Sequence, residues 1–172
     1  HGVACNKIEI VEANHPIPDQ SGVEASKRML KLARSLGPED QAICLISGGG
    51  SALLTLPAYG LSLEDKQVVT ESLLRCGATI HQINSVRKHL SGIKGGLLAE
   101  ACAPAPVLTL AISDVPRDDL EVIASGPSVP DPSTLNDALN VLDYFNIQVP
   151  QNVLSHLQNS SNETPKPGGS FW

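Results

Sequence analysis

The chain has 172 residues, of which 41% are hydrophobic and 17% charged, and its net charge is −6. This composition predicts one soluble globular domain that is long enough to bury a hydrophobic core. The few lysine and arginine residues are scattered, which argues against nucleic acid as a partner. No apolar run approaches the ~20 residues of a membrane span, and the first residues lack a secretory signal, so the sequence predicts a cytoplasmic protein.

The cysteines and the two ends of the sequence add further expectations. The four cysteines show no CxxC spacing, which favours reduced core thiols over disulfides or a zinc site. The first residue is His1 rather than a methionine, which indicates that the sequence is cut from a longer protein. The polar, proline- and glycine-rich stretch 159–172 is typical of a disordered tail or linker, and it would follow a domain over 1–158.

Apolar runs alternate along the chain with helical patterns. This alternation predicts an α/β fold, a Rossmann-like three-layer domain with a largely parallel sheet and helices on both faces. The first strand is predicted over 7–12, and the proline-rich segment 14–20 would connect it to a helix. Ser21 and Glu24 form a capping-box pattern at the start of that helix, and Gly37 is followed by proline at its end.

The second predicted strand covers 42–46. It is almost continuously apolar, so it is expected to be covered on both faces of the sheet. A helix should follow Ser62, because Asp65 completes a second capping box, and it should end near Gly77. The glycines within 83–98 then predict two short helices rather than one long helix.

The last part of the chain predicts one more strand and two helices. The run 107–112 is the third predicted strand, and the loop 113–119 at its carboxyl end gathers aspartates. A helix should begin at Thr134, and a shorter one is expected around 153–157.

The glycine loop, residues 47–51, follows the second predicted strand with the sequence SGGGS. In open α/β sheets, ligands bind at the carboxyl ends of the strands, and backbone amides without side chains can surround a phosphate. The loop therefore predicts a nucleotide-phosphate site formed by Ser47, Gly48, Gly49, Gly50 and Ser51. The alternative is that the glycines only allow a tight turn and close packing of a helix on a strand.

Three familiar motifs are absent from the glycine loop. A Walker loop would end in Gly-Lys-Ser/Thr, and no lysine follows these glycines. A dinucleotide fingerprint would have its third glycine at Leu53, and the nucleophile elbow around Ser51 would also require glycine there. A serine hydrolase is therefore unsupported.

Six motifs in a fixed order resemble the N-terminal domain of the glycerate 2-kinase family, some members of which carry a hydroxypyruvate reductase label. The resemblance covers about residues 14–134. The motifs are NHPIPD (14–19), SGGGSAL (47–53), INSVRKHLS (83–91), KGG (94–96), SDV (113–115) and IASGP (123–127).

This resemblance implies ATP-dependent phosphorylation of D-glycerate to 2-phosphoglycerate with Mg²⁺, in a cleft between two domains. The partner domain, of the MOFRL type, would follow Trp172, and the family's catalytic lysine would lie upstream of His1. The chain by itself is therefore expected to be weakly active or inactive. The resemblance is also compatible with a homodimer.

Candidate site residues lie within the resembling motifs. Asp114 is the candidate catalytic base and Mg²⁺ ligand, because a carboxylate can take the hydroxyl proton or hold the ion through oxygen. Lys94 is the second candidate catalytic residue, since phosphoryl transfer depends on positive charge around the transferring group. The remaining candidates are Arg87 and Gly95 for the cofactor, and His15, Ser91 and Asp118 for the substrate.

Structural explanations exist for several of these residues. Lys94 and Arg87 could be solvated charges on a helix face. Asp118 could be a helix cap, and His15 could make a structural hydrogen bond. The family usually has glycine where this chain has Arg117, which affects the geometry of the aspartate loop.

Two other functions stay open at this stage. A nicotinamide-dependent hydroxypyruvate reductase would use an acidic residue such as Asp114 to hold a ribose, although the dinucleotide fingerprint is broken. A truncated chain that binds a ligand or a partner without turnover is the other alternative.

Overall fold

A computed structural model of the chain describes residues 5–113, 115 and 118–169. Within these residues two parallel strands and seven α-helices form a mixed fold, which confirms the predicted α/β class. The strands are β1 (Ala42–Ile46) and β2 (Val107–Ala111). The helices are α1 (Gln20–Ala33), α2 (Gly50–Leu53), α3 (Leu63–Arg75), α4 (Ile80–His89), α5 (Leu97–Cys102), α6 (Leu135–Tyr144) and α7 (Gln151–Leu157). None of the helices in the described residues is both long and apolar enough to span a bilayer.

Helix α1 begins earlier than the sequence predicts. Its N-cap is Asp19, whose side chain accepts a hydrogen bond of 3.0 Å from the amide of Gly22, so the predicted capping box at Ser21 and Glu24 is wrong. The connection before it ends in a proline, and Asp19 has the extended backbone that an N-cap requires. The helix therefore starts directly after the proline-rich segment.

The segment 7–12, predicted as the first strand, is not a strand in this structure. Ile8 and Ile10 are exposed instead of packed. A strand forms only when a neighbouring backbone edge accepts its ladder of hydrogen bonds, and this segment pairs with no strand among the described residues. Apolar composition alone misled the prediction.

The sheet is covered on one face only within the described residues. In β1 the side chains alternate, with Ile43 and Leu45 exposed at 60% and 76%, so coverage of both faces is not observed. The other face packs against a buried cluster contributed mainly by α1 and α5. That cluster contains Leu30, Ala33, Ile93, Leu98 and Cys102.

The predictions for the helices after β1 are largely confirmed. Ser62 and Asp65 form the capping box of α3, and Thr134 caps α6. The glycine-rich stretch breaks into α4 and α5, as the sequence predicts. Helix α4 packs into the larger core together with α3, α6 and α7. This core consists of Val69, Leu73, Ile83, Val86, Leu90, Leu135, Ala138, Leu142, Val153 and Leu157.

A buried polar cluster links the end of α4 to the loop before α6. The ammonium group of Lys88 lies 3.1 Å from a carboxylate oxygen of Asp131, and both residues are buried. The second carboxylate oxygen of Asp131 accepts a hydrogen bond of 3.0 Å from the hydroxyl of Thr164. A buried charge is costly unless it is paired and hydrogen-bonded, and Asp131 satisfies that condition.

The same cluster orders part of the predicted tail. Residues 160–162 form a turn of 3₁₀ helix, and Thr164 is buried, so the prediction of disorder does not describe 159–169. Glu163 lies 2.7 Å from the ring of His89 and 2.6 Å from the ammonium group of Lys166. The polar composition of this segment predicted disorder. The buried residues that order it, His89 and Asp131, lie far from it in the sequence, so local composition did not reveal them.

The carboxylate of Glu163, which lies in this ordered segment, should make the stability of the folded chain depend on pH in the acid range. Burial raises its pKa, but hydrogen bonds from Lys166, from the backbone of Leu135 and from His89 outweigh burial and lower the pKa to about 2. Because the folded pKa lies below the unfolded one, this contribution is present above pH ~4.5 and is lost as the pH falls towards 2.

We therefore expect Glu163→Gln to reduce the free energy of unfolding at pH 7 and to flatten its decline between pH ~4.5 and 2. Urea unfolding at several pH values measures both effects. Glu39→Gln, which removes an exposed carboxylate, is the control. Equal pH profiles for the two variants would contradict the assignment.

Candidate active site

The loops that follow β1 and β2 lie side by side at the same edge of the sheet. The strands pair in parallel up to Ile46 and Ala111, and the amide of Ile112 donates to the carbonyl of Ile46 at 2.9 Å. The glycine loop and the loop beginning at Ser113 therefore start next to each other, as predicted. Asp114, the predicted base and metal ligand, lies outside the described residues together with Arg117, and its roles stay predictions.

Gly49 and Gly50 of the glycine loop lack a side chain for different structural reasons. Gly49 has a φ of +84°, a conformation that side chains disfavour, and its missing Cβ would lie 3.4 Å from the ring of His15. A Cβ on Gly50 would lie 2.8 Å from the Cβ of Ala124, so that glycine permits close packing. The packing interpretation is therefore sufficient for Gly50, whereas Gly49 shapes the loop beside an exposed histidine.

The glycine loop presents backbone donors. The amides of Gly49, Gly50 and Ser51 have no acceptor within the described part of the chain. The carbonyl of Gly49 is already engaged by the amides of Ala52 and Leu53, at 3.0 and 3.2 Å. The loop thus engages the carbonyl of Gly49 and leaves three N–H groups that could donate hydrogen bonds to an oxyanion.

A chain of polar side chains connects the glycine loop to α4. The hydroxyls of Ser51 and Ser125 are 3.2 Å apart, and Ser125 donates to the Asn84 amide oxygen at 3.0 Å. Asn84 is 2% exposed, and its NH₂ group has no partner among the residues that the structure describes. The sequence analysis missed Asn84 and Ser125. The available signal was the spacing of three between Asn84 and Arg87, which places them on one helix face.

A turn formed by residues 124–126 packs against the KGG segment 94–96. The ammonium group of Lys94 donates to the carbonyl of Ala124 at 3.0 Å. The amides of Gly95 and Gly96 donate to the next two carbonyls at 3.1 and 2.8 Å. Lys94 is only 1% exposed, so it is not a solvated charge on a helix face, and its ammonium group contacts the backbone instead. The amide of Gly95 is engaged in the same turn.

The turn itself is conformationally strained. Ala124 and Ser125 have φ values of 52° and 62°, which are uncommon for residues with a side chain. Each such residue costs about 1–2 kcal/mol relative to a right-handed conformation. The three hydrogen bonds from the KGG segment therefore hold Ser125 in the position from which it contacts Asn84.

The three predicted substrate residues are placed differently. His15 lies beside Gly49, as described above, and is exposed. Ser91 is buried and donates to the carbonyl of Leu56 at 3.1 Å. Asp118 is exposed, and none of the hydrogen bonds between described residues joins it to the glycine loop. The structure therefore brings His15 to the loop, whereas it shows no contact of Ser91 or Asp118 with the loop among the described residues.

Three basic side chains are close enough to influence one another electrostatically: Lys66 of α3, Arg87 of α4 and Lys94. Burial and, to a smaller extent, the charge of Arg87 lower the pKa of Lys66 to about 7. Burial, Lys66 and Arg87 hold the pKa of Lys94 well below its usual value. Burial also lowers the pKa of Arg87. No carboxylate among the described residues pairs with any of the three.

The described residues do not form a metal site. Across 5–113, 115 and 118–169, no group of three His, Cys, Asp or Glu side chains could hold an ion. The arrangement instead collects hydrogen-bond donors and positive charge, which is the chemistry of an oxyanion site.

Gly49→Ala should weaken anion binding because its Cβ forces the loop out of a φ of +84°. Gly60→Ala is a matched control, since Gly60 has a φ of +83° but nothing within 4 Å. Both variants should lose about 1–2 kcal/mol of stability. Only Gly49→Ala should lower the affinity for pyrophosphate, by about 10-fold in calorimetric titration, the effect of losing one charge-assisted hydrogen bond. An equal effect of the two variants would favour the packing interpretation.

Comparison with known proteins places this arrangement in a family. The model of the family described as "domain of unknown function (DUF4147)" matches residues 1–158. A protein of Agrobacterium vitis named putative hydroxypyruvate reductase is 49% identical over 168 residues, which are 98% of this chain and 38% of that protein. The D-glycerate 2-kinase of Thermotoga maritima is 48% identical over 159 residues, which are 92% of this chain and 37% of that enzyme.

Solved structures agree with this assignment. The crystal structure of a glycerate kinase from Thermotoga maritima superposes with a TM-score of 0.91 at 46% identity, over 96% of this chain and 39% of that one. The chain thus spans about two fifths of the length of the relatives it matches. It belongs to the DUF4147 family, whose fold it shares with glycerate kinases.

Proposed function

We propose that this chain carries part of the active site of a D-glycerate 2-kinase that uses ATP as the phosphoryl donor. The observation that carries the proposal is the set of unpaired donors at the carboxyl edge of the sheet. The amides of the glycine loop and the side chain of Arg87 lack protein acceptors within the described residues, as a phosphate site requires. The kinase names of several relatives support the choice of substrate.

The proposed reaction transfers the γ-phosphoryl group of ATP to the C2 hydroxyl of D-glycerate. The bond between the γ-phosphorus and the bridging oxygen breaks, a bond from the C2 oxygen to phosphorus forms, and ADP and 2-phosphoglycerate result. The hydroxyl proton passes to a base, for which Asp114 is the candidate from the sequence. Catalysis of this kind depends on positioning and on positive charge around the phosphoryl oxygens.

The described residues would act by binding and orientation. The amides of Gly49 and Gly50 would donate to phosphoryl oxygens, and Arg87 would neutralise their charge. Lys94 would act as a positioning residue through the turn 124–126, because its ammonium group contacts the carbonyl of Ala124. Mg²⁺ is implied by the family resemblance but has no ligand cluster among the described residues, so these residues are given no role in holding it.

A second domain belongs to the proposal. The relatives are more than twice as long as this chain, so we propose that the substrates bind in a cleft that another part of the protein completes. The chain alone should then turn over slowly. A cytoplasmic location and a homodimer remain predictions from the sequence.

The proposal is tested by coupled detection of ADP release with D-glycerate, in the full-length gene product and in the 172-residue chain. We expect turnover by the former and at least ~10²-fold less by the latter, since positioning contributes large factors to rate. Absence of turnover in the full-length protein, with ATP and Mg²⁺ present, would refute the proposed activity.

Asp114→Asn tests the proposed base. In the full-length protein we expect kcat to fall by at least ~10²-fold with little change in melting temperature, because the amide keeps the size and loses the basicity. Asp143→Asn, at an exposed position of α6, is the control. A lower melting temperature with normal kcat would assign Asp114 a structural role instead.

A second candidate function is supported only by names. Two relatives are named putative hydroxypyruvate reductase. Leu53 occupies the place of the third glycine in a dinucleotide fingerprint, which disfavours a nicotinamide cofactor. Oxidation of NADH or NADPH by hydroxypyruvate, followed by absorbance, would support this alternative.

A further inference from the structure

We infer that Lys66, together with Arg87 and Asn84, binds an oxyanion, the phosphate or carboxylate group of a ligand of this site. The inference rests on the proposed function for the identity of the ligands, since ATP carries phosphate and D-glycerate carries carboxylate. Lys66 lies in α3, outside every motif that resembles the glycerate 2-kinase family.

The first argument is the contrast between paired and unpaired buried cations. Lys88 is 3% exposed, and its ammonium group has carboxylate oxygens of Asp131 and Glu121 at 3.1 and 3.7 Å. Lys66 is 5% exposed and has no carboxylate partner in the part of the chain that the structure describes. Among the described residues, one buried lysine is therefore paired and another is not, although leaving a buried cation without a counter-charge is unfavourable.

The second argument is the hydrogen bonding of the Lys66 ammonium group. It donates to the carbonyl of Leu56 at 3.2 Å, and this is its one hydrogen bond to a described residue. The same oxygen also accepts from the hydroxyl of Ser91 and the amide of Gly92, at 3.1 and 3.0 Å. A carbonyl oxygen has two lone pairs, so Leu56 is already saturated and cannot satisfy the two other ammonium hydrogens.

The third argument is that unpaired donors meet at one face of α4. Asn84 and Arg87 are three residues apart, so they lie on the same side of the helix. The Asn84 NH₂ group is buried with no partner in the described part of the chain, while its oxygen is fixed by the hydroxyl of Ser125. The charge of Arg87 is close enough to lower the pKa of Lys66. Positive charge and an oriented amide donor together are what a carboxylate or phosphate group accepts.

A purely structural role is the competing explanation, in which Lys66 only fastens the carbonyl of Leu56. That role would change stability without changing affinity. Lys66→Met distinguishes the two, and the variant should fold, because the folded chain disfavours the charged form of Lys66 at pH 7 while the unfolded chain does not. Lys31→Met, at an exposed position of α1, is the matched control.

The experiment is calorimetric titration of the full-length gene product and its variants with inorganic pyrophosphate, ADP and D-glycerate. We expect Lys66→Met to bind at least one of these about 10-fold more weakly or worse, the effect of losing one charge-assisted hydrogen bond, with Lys31→Met unchanged. Weaker pyrophosphate and ADP binding would assign the group to a phosphate, and weaker D-glycerate binding to a carboxylate. Asn84→Ala, a second variant that keeps the charges, should weaken the same ligand.

The inference and the proposed function fail separately. Unchanged affinities in both variants, with wild-type protein that binds and phosphorylates D-glycerate, would overturn the inference alone. Loss of pyrophosphate affinity in a protein that does not phosphorylate D-glycerate would leave the oxyanion site standing and overturn the kinase. Wild-type protein that binds none of the three probes would overturn both.

Discussion

Three consecutive backbone carbonyls, at residues 124–126, each accept a hydrogen bond from one of three consecutive residues, 94–96. These bonds hold two non-glycine residues at positive φ, which the local sequence alone would not favour. The turn then places Ala124 against Gly50 and Ser125 against Ser51 and Asn84. The turn 124–126 thus fixes the glycine loop, α4 and the KGG segment relative to one another.

Helix α4 carries polar groups that are paired with carboxylates and polar groups that are not. Near its end, Lys88 and His89 contact carboxylates, and these contacts order the segment that contains Glu163. On its other side, the NH₂ group of Asn84 and the side chain of Arg87 lack partners among the described residues. Unpaired buried polar groups reduce stability, so a fold optimised for stability alone would pair or replace them. Such groups are typical of binding sites, where function is favoured over stability.

The sequence predicted most of the secondary structure but not its surroundings. Capping boxes at Ser62 and Thr134 and the glycine break after α4 were read correctly, because these signals act within a few residues. The strand over 7–12, the coverage of β1 on both faces and the disorder of 159–169 were not observed. Each of these depends on what lies beside the segment, which local composition does not specify.

By itself the sequence determined the α/β class, the glycine loop at a strand end and the resemblance to glycerate 2-kinases, since periodicity, spacing and motif order are written in the chain. Tertiary structure decided which polar residues meet. It buried Lys94 against a carbonyl, joined Ser51 through Ser125 to Asn84, and buried Lys66, from a helix outside every motif, within electrostatic range of Arg87 and Lys94. Hydrogen bonds and desolvation act between groups that are neighbours in space, and Ser51 and Ser125, for example, are 74 residues apart in the sequence.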